Sequence, residues 1–203
     1  MAIRLYGMPT GNIKTKKLMQ DFKKYKPYSI RLKGYDYSSP GEYFITICSH
    51  DRKCVFGEII DGEMFLNDLG KIVQEEILKS LQIRKELDID IFSIMPNHLR
   101  IIISLNDIYH DPVETNGHSS LQFSENKFQM KPKSVSSFVV GFKSASTKRI
   151  NILRNTLKQP VFQDGYHEHI IRNEKSYDEI YSYIESNPNT WDRDRNNPKN
   201  FVK

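Results

Sequence analysis

Apolar and polar positions along this chain fall into two periods, and the alternation between them lays out its elements. Tyr43-Phe-Ile-Thr-Ile-Cys48 is rich in β-branched and aromatic residues and follows a turn at Ser38-Ser-Pro-Gly41, so it reads as a strand. Val55 to Leu66 carries two short apolar pieces around Asp61-Gly62, the pattern of a hairpin. Asn67 then stands where a helix needs a cap. Leu69, Ile72, Val73, Ile77, Leu78 and Leu81 follow at helical spacing, which predicts one buried face. Two more strand-like runs, Asp90–Ile94 and Ile101–Leu105, flank Pro96. Ser134 to Leu153 is predicted helical, with Phe138, Val139, Phe142 and Ile150 on its apolar side and Lys143, Lys148 and Arg149 opposite. Val161-Phe-Gln163 and His167–Ile171 read as short strands. A last helix is predicted from about Lys175, with Ser176 as its cap, to about Asn187, where Pro188 ends it. The order β, ββ, α, ββ, α, short β, α predicts an α+β fold, an antiparallel sheet covered by helices on one face.

Asp107 to Lys133 breaks the pattern: this 27-residue stretch has no periodicity and few aliphatics, and it is expected to be a flexible insertion. The first 28 residues read as a basic extension to a single domain spanning 29–203. Between Lys14 and Lys33 there are eight Lys and Arg against one acid, Asp21, with Tyr25, Tyr28 and Tyr35 interleaved or adjacent. Such a segment can grip phosphates and stack bases, and it reads equally well as a solvated tail. Thirty Lys and Arg against 25 Asp and Glu give a net charge of +5, which suits a polyanionic partner without requiring one. Two cysteines, Cys48 and Cys54, with no secretory signal, favour free thiols in a reducing cytosol. No apolar run approaches the roughly 20 residues that span a bilayer.

The candidate chemistry begins at Met95-Pro-Asn-His98-Leu-Arg100-Ile-Ile. On a strand, residues two apart share a face, so His98 and Arg100 project together. The stretch resembles the His-hydrophobic-His (HUH) signature of single-tyrosine transposases, Met-Pro-Asn-His-hydrophobic-His, with Arg100 at the second histidine. Further pieces stand in the order seen in transposases of the REP-associated (repetitive extragenic palindrome) type. They are Ser29–Tyr37, Thr46–Arg52, Val140–Ser144, Gly165–Asn173 and Tyr183-Ile-Glu-Ser-Asn-Pro188. With the HUH-like stretch they cover residues 29 to about 192, the segment after Asp107 excepted.

The resemblance implies a ferredoxin-like antiparallel sheet with helices packed mainly on one face. It implies metal-dependent cleavage and rejoining of single-stranded DNA near hairpins through a 5′-phosphotyrosine. The expected partners are single-stranded or hairpin DNA and a second copy of the chain. The expected setting is a bacterial cytoplasm beside the nucleoid, with no membrane. Tyr183 maps onto the nucleophile. His98 and Asn187, the latter one helical turn beyond Tyr183, map onto ligands of Mg²⁺ or Mn²⁺. Arg31, Lys33, Arg100, Lys143, Lys148, Arg149 and Arg172 are the DNA-contacting candidates, expected to form one positive surface around the site, with Tyr35 and Tyr37 available for stacking or core packing.

A phenol with a pKa near 10 needs a polarised phosphate before it attacks, and a divalent ion would supply that polarisation. Arg100 opposes it. Its guanidinium has no lone pair to give, and at about 4 Å it repels a divalent ion by roughly 8 kcal/mol at an effective dielectric of 20. Three readings follow: a degenerate copy that binds without cutting, a variant trapped in an inactive state, or an arginine that clamps the scissile phosphate itself. The first two rank above the third, because arginine does not activate a leaving oxygen as a metal does. The two function classes are therefore an impaired transposase or single-strand endonuclease and a hairpin-DNA-binding protein without catalysis.

Overall fold

Strand β1 (Gly41–Cys48) lies inside the sheet, with a strand paired to each of its two edges. In the computed structural model the described residues are 35–106 and 132–201. They belong to the unit Leu32–Lys203. The basic stretch 14–33, with Arg31 and Lys33, and nearly all of the 107–133 insertion therefore fall outside the described residues. After β1 come the hairpin β2 (Gly57–Ile60) and β3 (Glu63–Leu66), helix α1 (Asp68–Ile83), and strands β4 (Leu87–Met95) and β5 (His98–Leu105). Helix α2 (Val135–Leu153), strand β6 (His167–Ile171), helix α3 (Glu174–Glu185) and two short 3₁₀ turns complete it.

The sheet order is β4-β5-β1-β6, with every neighbour antiparallel. β1 and β5 sit side by side although the hairpin, a helix and a strand separate them in sequence, which gives the ferredoxin-like topology. Alternation along the strands sorts side chains between two faces. Tyr43, Ile45 and Ile47 of β1 and Leu99, Ile101 and Ile103 of β5 face one way and are buried with Phe138, Phe142 and Ile150 of α2 and Val73 and Ile77 of α1. Each such aliphatic side chain contributes about 1.5–3 kcal/mol by leaving water. The opposite face carries a smaller cluster, Ile102, Ile171 and Ile184 with Phe44, Ile91, Tyr177 and Ile180, under α3. Two helices thus cover one face and the third covers the other.

Local chemistry explains the boundaries. Asp61 and Gly62 both take left-handed φ (51° and 80°), as a two-residue hairpin turn requires. The Asn67 side chain accepts from the N–H groups of Leu69 and Gly70, both at 3.0 Å, capping α1. Ser134 and Ser137 form a reciprocal capping box at the start of α2. Three expectations are corrected. The cap of α3 is Asn173, whose Oδ1 accepts from Ser176 N–H at 2.9 Å, so Ser176 lies inside the helix. Val161–Gln163 is no strand but a single bridge, Ser49 to Phe162, because the chain turns at Asp164-Gly165 before β6 begins. Leu78 is half exposed on α1, at the rim of its buried stripe. No helix among the described residues is long and apolar enough to cross a membrane.

Candidate functional site

The face of the sheet beneath α3 holds the candidate residues. His98 opens β5 opposite Met95 and Cys48, and Arg100 lies opposite Ser93 and Thr46. Both side chains therefore point away from the main core, towards α3 and the segment that follows it. Neither meets solvent: His98 is 0% and Arg100 1% exposed. A fully buried guanidinium needs a counter-charge, and Asp194 supplies it, with Arg100 Nη1 2.8 Å from Asp194 Oδ2. The same Nη1 also donates to Asn187 Oδ1. Above them, the Tyr183 ring lies with its centroid 4.5 Å from the Arg100 guanidinium carbon, a cation–π contact, and edge-on to Phe44 at 6.4 Å.

His98 is held on its other side. Asn97, buried beside it, donates through Nδ2 to the carbonyls of Arg52 (2.9 Å) and Asn196 (2.7 Å). Its Oδ1 is thereby left as the acceptor facing His98 Nδ1 at 2.9 Å. The proton of the neutral imidazole accordingly sits on Nδ1, and Nε2 presents a lone pair. That Nε2 has no hydrogen-bond partner among the described residues and lies 3.9 Å from Asp194 Oδ2. Trp191 covers the ring at 6.0 Å between centroids. Burial and the Arg100 charge push the His98 pKa down to about 3 against the pull of Asp194, so the ring is neutral at ordinary pH. Burial pushes the Asp194 carboxyl up, but the bonds from Arg100 and from Asn196 N–H, with the Arg100 charge, outweigh it and leave it below its usual range. Burial raises the Tyr183 phenol, with the charges of Arg100 and Arg195 opposing.

The structure brings Tyr183, Asn187, His98 and Arg100 together, with Arg100 at the centre. Of the neighbouring phenols, Tyr181 stacks on Tyr177 at 6.1 Å, and Tyr177 donates to Asp90 at 3.3 Å, so Tyr183 alone of the three contacts Arg100. Sequence reasoning missed Asp194, Trp191 and Asn97. The other basic candidates are placed differently. Lys143 donates to the carbonyls of Gln163 and Gly165, and Arg149 pairs with Glu75 and Glu76 of α1. They and Lys148 lie on α2, across the sheet from Tyr183, so the expected single positive surface around the site does not include them. Arg172 is exposed just after β6. Tyr35 and Tyr37 pack with Tyr43 against the main core, and Tyr35 meets Tyr43 hydroxyl to hydroxyl at 3.2 Å.

Would a divalent ion fit here? His98 Nε2, Asn187 Oδ1 and Asp194 Oδ2 are suitable donors, but the two oxygens are already bonded to the guanidinium, which stands among them with its own positive charge. Among the described residues no cluster of three or more His, Cys, Asp or Glu could hold a metal. The residues present do not fit the metal that the sequence resemblance implies.

Comparison with known proteins now places the chain. No family model matches it. An uncharacterized protein of Haemophilus influenzae is 40% identical over 171 residues, spanning 82% of this chain and 91% of that protein. The two belong to one family. A solved REP-associated tyrosine transposase bound to a REP hairpin is 20% identical, with a TM-score of 0.52 over 80% of this chain and 74% of that one. The fold is that of the REP-associated tyrosine transposases. A structure of a transposase-like protein from Deinococcus radiodurans is 19% identical, with a TM-score of 0.37 over 76% of this chain and 95% of that one.

Proposed function

We propose that this chain is a transposase-like DNA-binding protein that recognises single-stranded or hairpin DNA and does not perform metal-assisted strand cleavage. The observation that carries this reading is the buried Arg100–Asp194 pair, with Asn187 on the same guanidinium nitrogen, at the position where the resemblance expects a metal-ligating histidine. The transposase fold and the motifs from Ser29 to Pro188 support the nucleic-acid partner, as does the hairpin held by the structural relative. Tyr183 keeps the place of the nucleophile, but the charge beside it is already neutralised by Asp194. A phosphate oxygen gains little from a cation that is committed to a carboxylate.

The test is a hairpin-bearing oligonucleotide offered with Mg²⁺ or Mn²⁺. The chain should shift it in a gel without nicking it, and Arg100→His should bind and nick, Tyr183→Phe in that background abolishing the cut. Metal-dependent nicking by the unaltered chain, with DNA left covalently on Tyr183, would overturn the reading. One observation favours a second reading: the Arg100 guanidinium carbon lies 4.5 Å from the Tyr183 ring centroid, where its charge partly opposes the burial that raises the phenol. Cleavage that persisted in EDTA and vanished in Tyr183→Phe would establish that metal-free transesterification.

A further inference from the structure

The committed charge of Arg100 leaves open how the site would hold a phosphodiester, and two other arginines stand at its rim. Arg52 belongs to the 3₁₀ turn His50–Arg52 after β1, and Arg195 follows Asp194 in the C-terminal segment. One buried carboxamide ties these two loops together, because Asn97 Nδ2 donates to Arg52 O and to Asn196 O. The Arg52 guanidinium lies over the Phe201 ring, 5.5 Å from its centroid. Asp51 and Arg52 both hold left-handed backbone (φ 55° and 52°), a conformation that side-chain-bearing residues keep only where surrounding structure imposes it. On the sheet, His167 pairs with Thr46, which pairs with Arg100 on its other side, so His167, Thr46 and Arg100 share one row.

Arg84, Arg100 and Arg149 each engage a carboxylate, whereas Arg52 and Arg195 engage none among the described residues. Their fields converge. Both act on Cys48, His98 and His167, and that of Arg195 also reaches Tyr183. Since Arg100 and Asp194 cancel, two positive charges without a carboxylate remain around His98 and His167, and that of Arg195 also reaches the half-exposed Tyr183.

We infer that Arg52, Arg195 and His167 form a phosphodiester seat beside Tyr183, with Asn97 positioning both arginine loops. This rests on the proposed DNA-binding function and names the part of the site that grips the backbone. Two guanidiniums from different loops present planar forks to non-bridging phosphate oxygens, and His167 adds a ring N–H. The contact is to backbone and carries no base sequence.

Hairpin-oligonucleotide affinity measured against salt tests it. Arg52→Gln and Arg195→Gln should each weaken binding several-fold and lower the slope of log affinity against log salt by about 1, and the double variant by about 2. Lys79→Gln, on α1 across the sheet, should change neither. In parallel, inorganic phosphate titrated into the unaltered chain should move the His167 imidazole NMR signals, and the double variant should abolish that response. Unchanged slopes in folded variants, or a loss matched by Lys79→Gln, would refute the seat while leaving DNA binding intact. A phosphate response on His167 without hairpin binding would refute the DNA reading and retain an anion site. Failure of both arms would remove both.

Discussion

Breaking the buried Arg100–Asp194 pair from its two ends should give unequal results. Both side chains are 2% exposed and the charged atoms are 2.8 Å apart. At an effective dielectric of 20 their attraction is about 6 kcal/mol, and the desolvation of each ion costs several kcal/mol, so the pair is close to neutral against well-packed apolar residues. Removing one partner is different. Asp194→Leu strands a guanidinium that cannot lose its proton and retains only Asn187 as an acceptor. That variant should lose about 3–5 kcal/mol. Arg100→Met should cost less, because the abandoned Asp194 can take up a proton and keeps the 2.7 Å bond from Asn196 N–H. The double variant should return to within about 1 kcal/mol of the unaltered chain, giving a coupling energy of several kcal/mol of the kind double-mutant cycles resolve. Urea unfolding at pH 7 with a common m-value measures all four corners. Single variants that each cost under about 0.5 kcal/mol and simply add would place the Arg100 side chain in water. The site would then have room for a metal and a free cation, and the reasoning against metal-assisted cleavage would fail.

Other consequences follow from the same geometry. Arg100→His should acquire a Mn²⁺-dependent rise in melting temperature, absent from the unaltered chain and lost again in Arg100→His/Asp194→Ala, because His98, position 100 and Asp194 then offer three donors. His98 faces Arg100, Asp194, Arg195 and Arg52, and its folded pKa of about 3 lies below the unfolded value near 6.5, so the unfolded chain binds the extra proton. Stability should therefore be full above pH 6.5 and fall by up to about 1.4 kcal/mol per pH unit on acidification, a slope that His98→Gln should flatten between pH 6.5 and 5 in denaturant titrations. Asn67→Ala should cost about 1 kcal/mol through the lost α1 cap, while Tyr183→Phe, which keeps the ring over Arg100, should leave stability within about 0.5 kcal/mol. Ile101→Ala, which empties a fully buried position at the centre of the sheet, should cost about 2–5 kcal/mol.

Most of the fold was legible because its signals are local. The β-branched run at Tyr43–Cys48, the Asp61-Gly62 turn, the Asn67 cap and the helical stripe from Leu69 to Leu81 each describe a decision the backbone makes within a few residues. The errors came where two residues competed for one task or where distant pairing decided. Asn173 and Ser176 both have capping side chains, and the first wins because its Oδ1 reaches the N–H three residues on. Phe162 has the composition of a strand, but its place along β1 lasts a single bridge before Gly165 (φ 72°) turns the chain. The distribution of charge was read from helix faces alone. That cannot reveal that Arg149 is taken by Glu75 and Glu76 on another helix.

The candidate site was legible only in its motif-bearing half. His98, Arg100, Tyr183 and Asn187 stand in recognisable stretches, but Asp194 and Arg195 lie in a polar tail, Pro188 to Asn200, with no hydrophobic period to suggest burial. That tail is held by asparagines in place of apolar packing: Asn197 Nδ2 donates to Trp191 O, and Asn200 Nδ2 to Asp192 O and Asp194 O. One signal could have found it. An arginine alternating with buried aliphatics on a central strand points into the protein and must meet an acid, since its charge cannot be shed by deprotonation. The acids close behind Asn187 in sequence are Asp192 and Asp194, two residues apart in a segment that must turn back over His98 for either to reach. Asp192 is exposed and Asp194 is buried against Arg100. Arg100 and the burial of that aspartate are thus one arrangement: the ion pair ties the tail to the sheet, at the position where the sequence resemblance expects a second histidine.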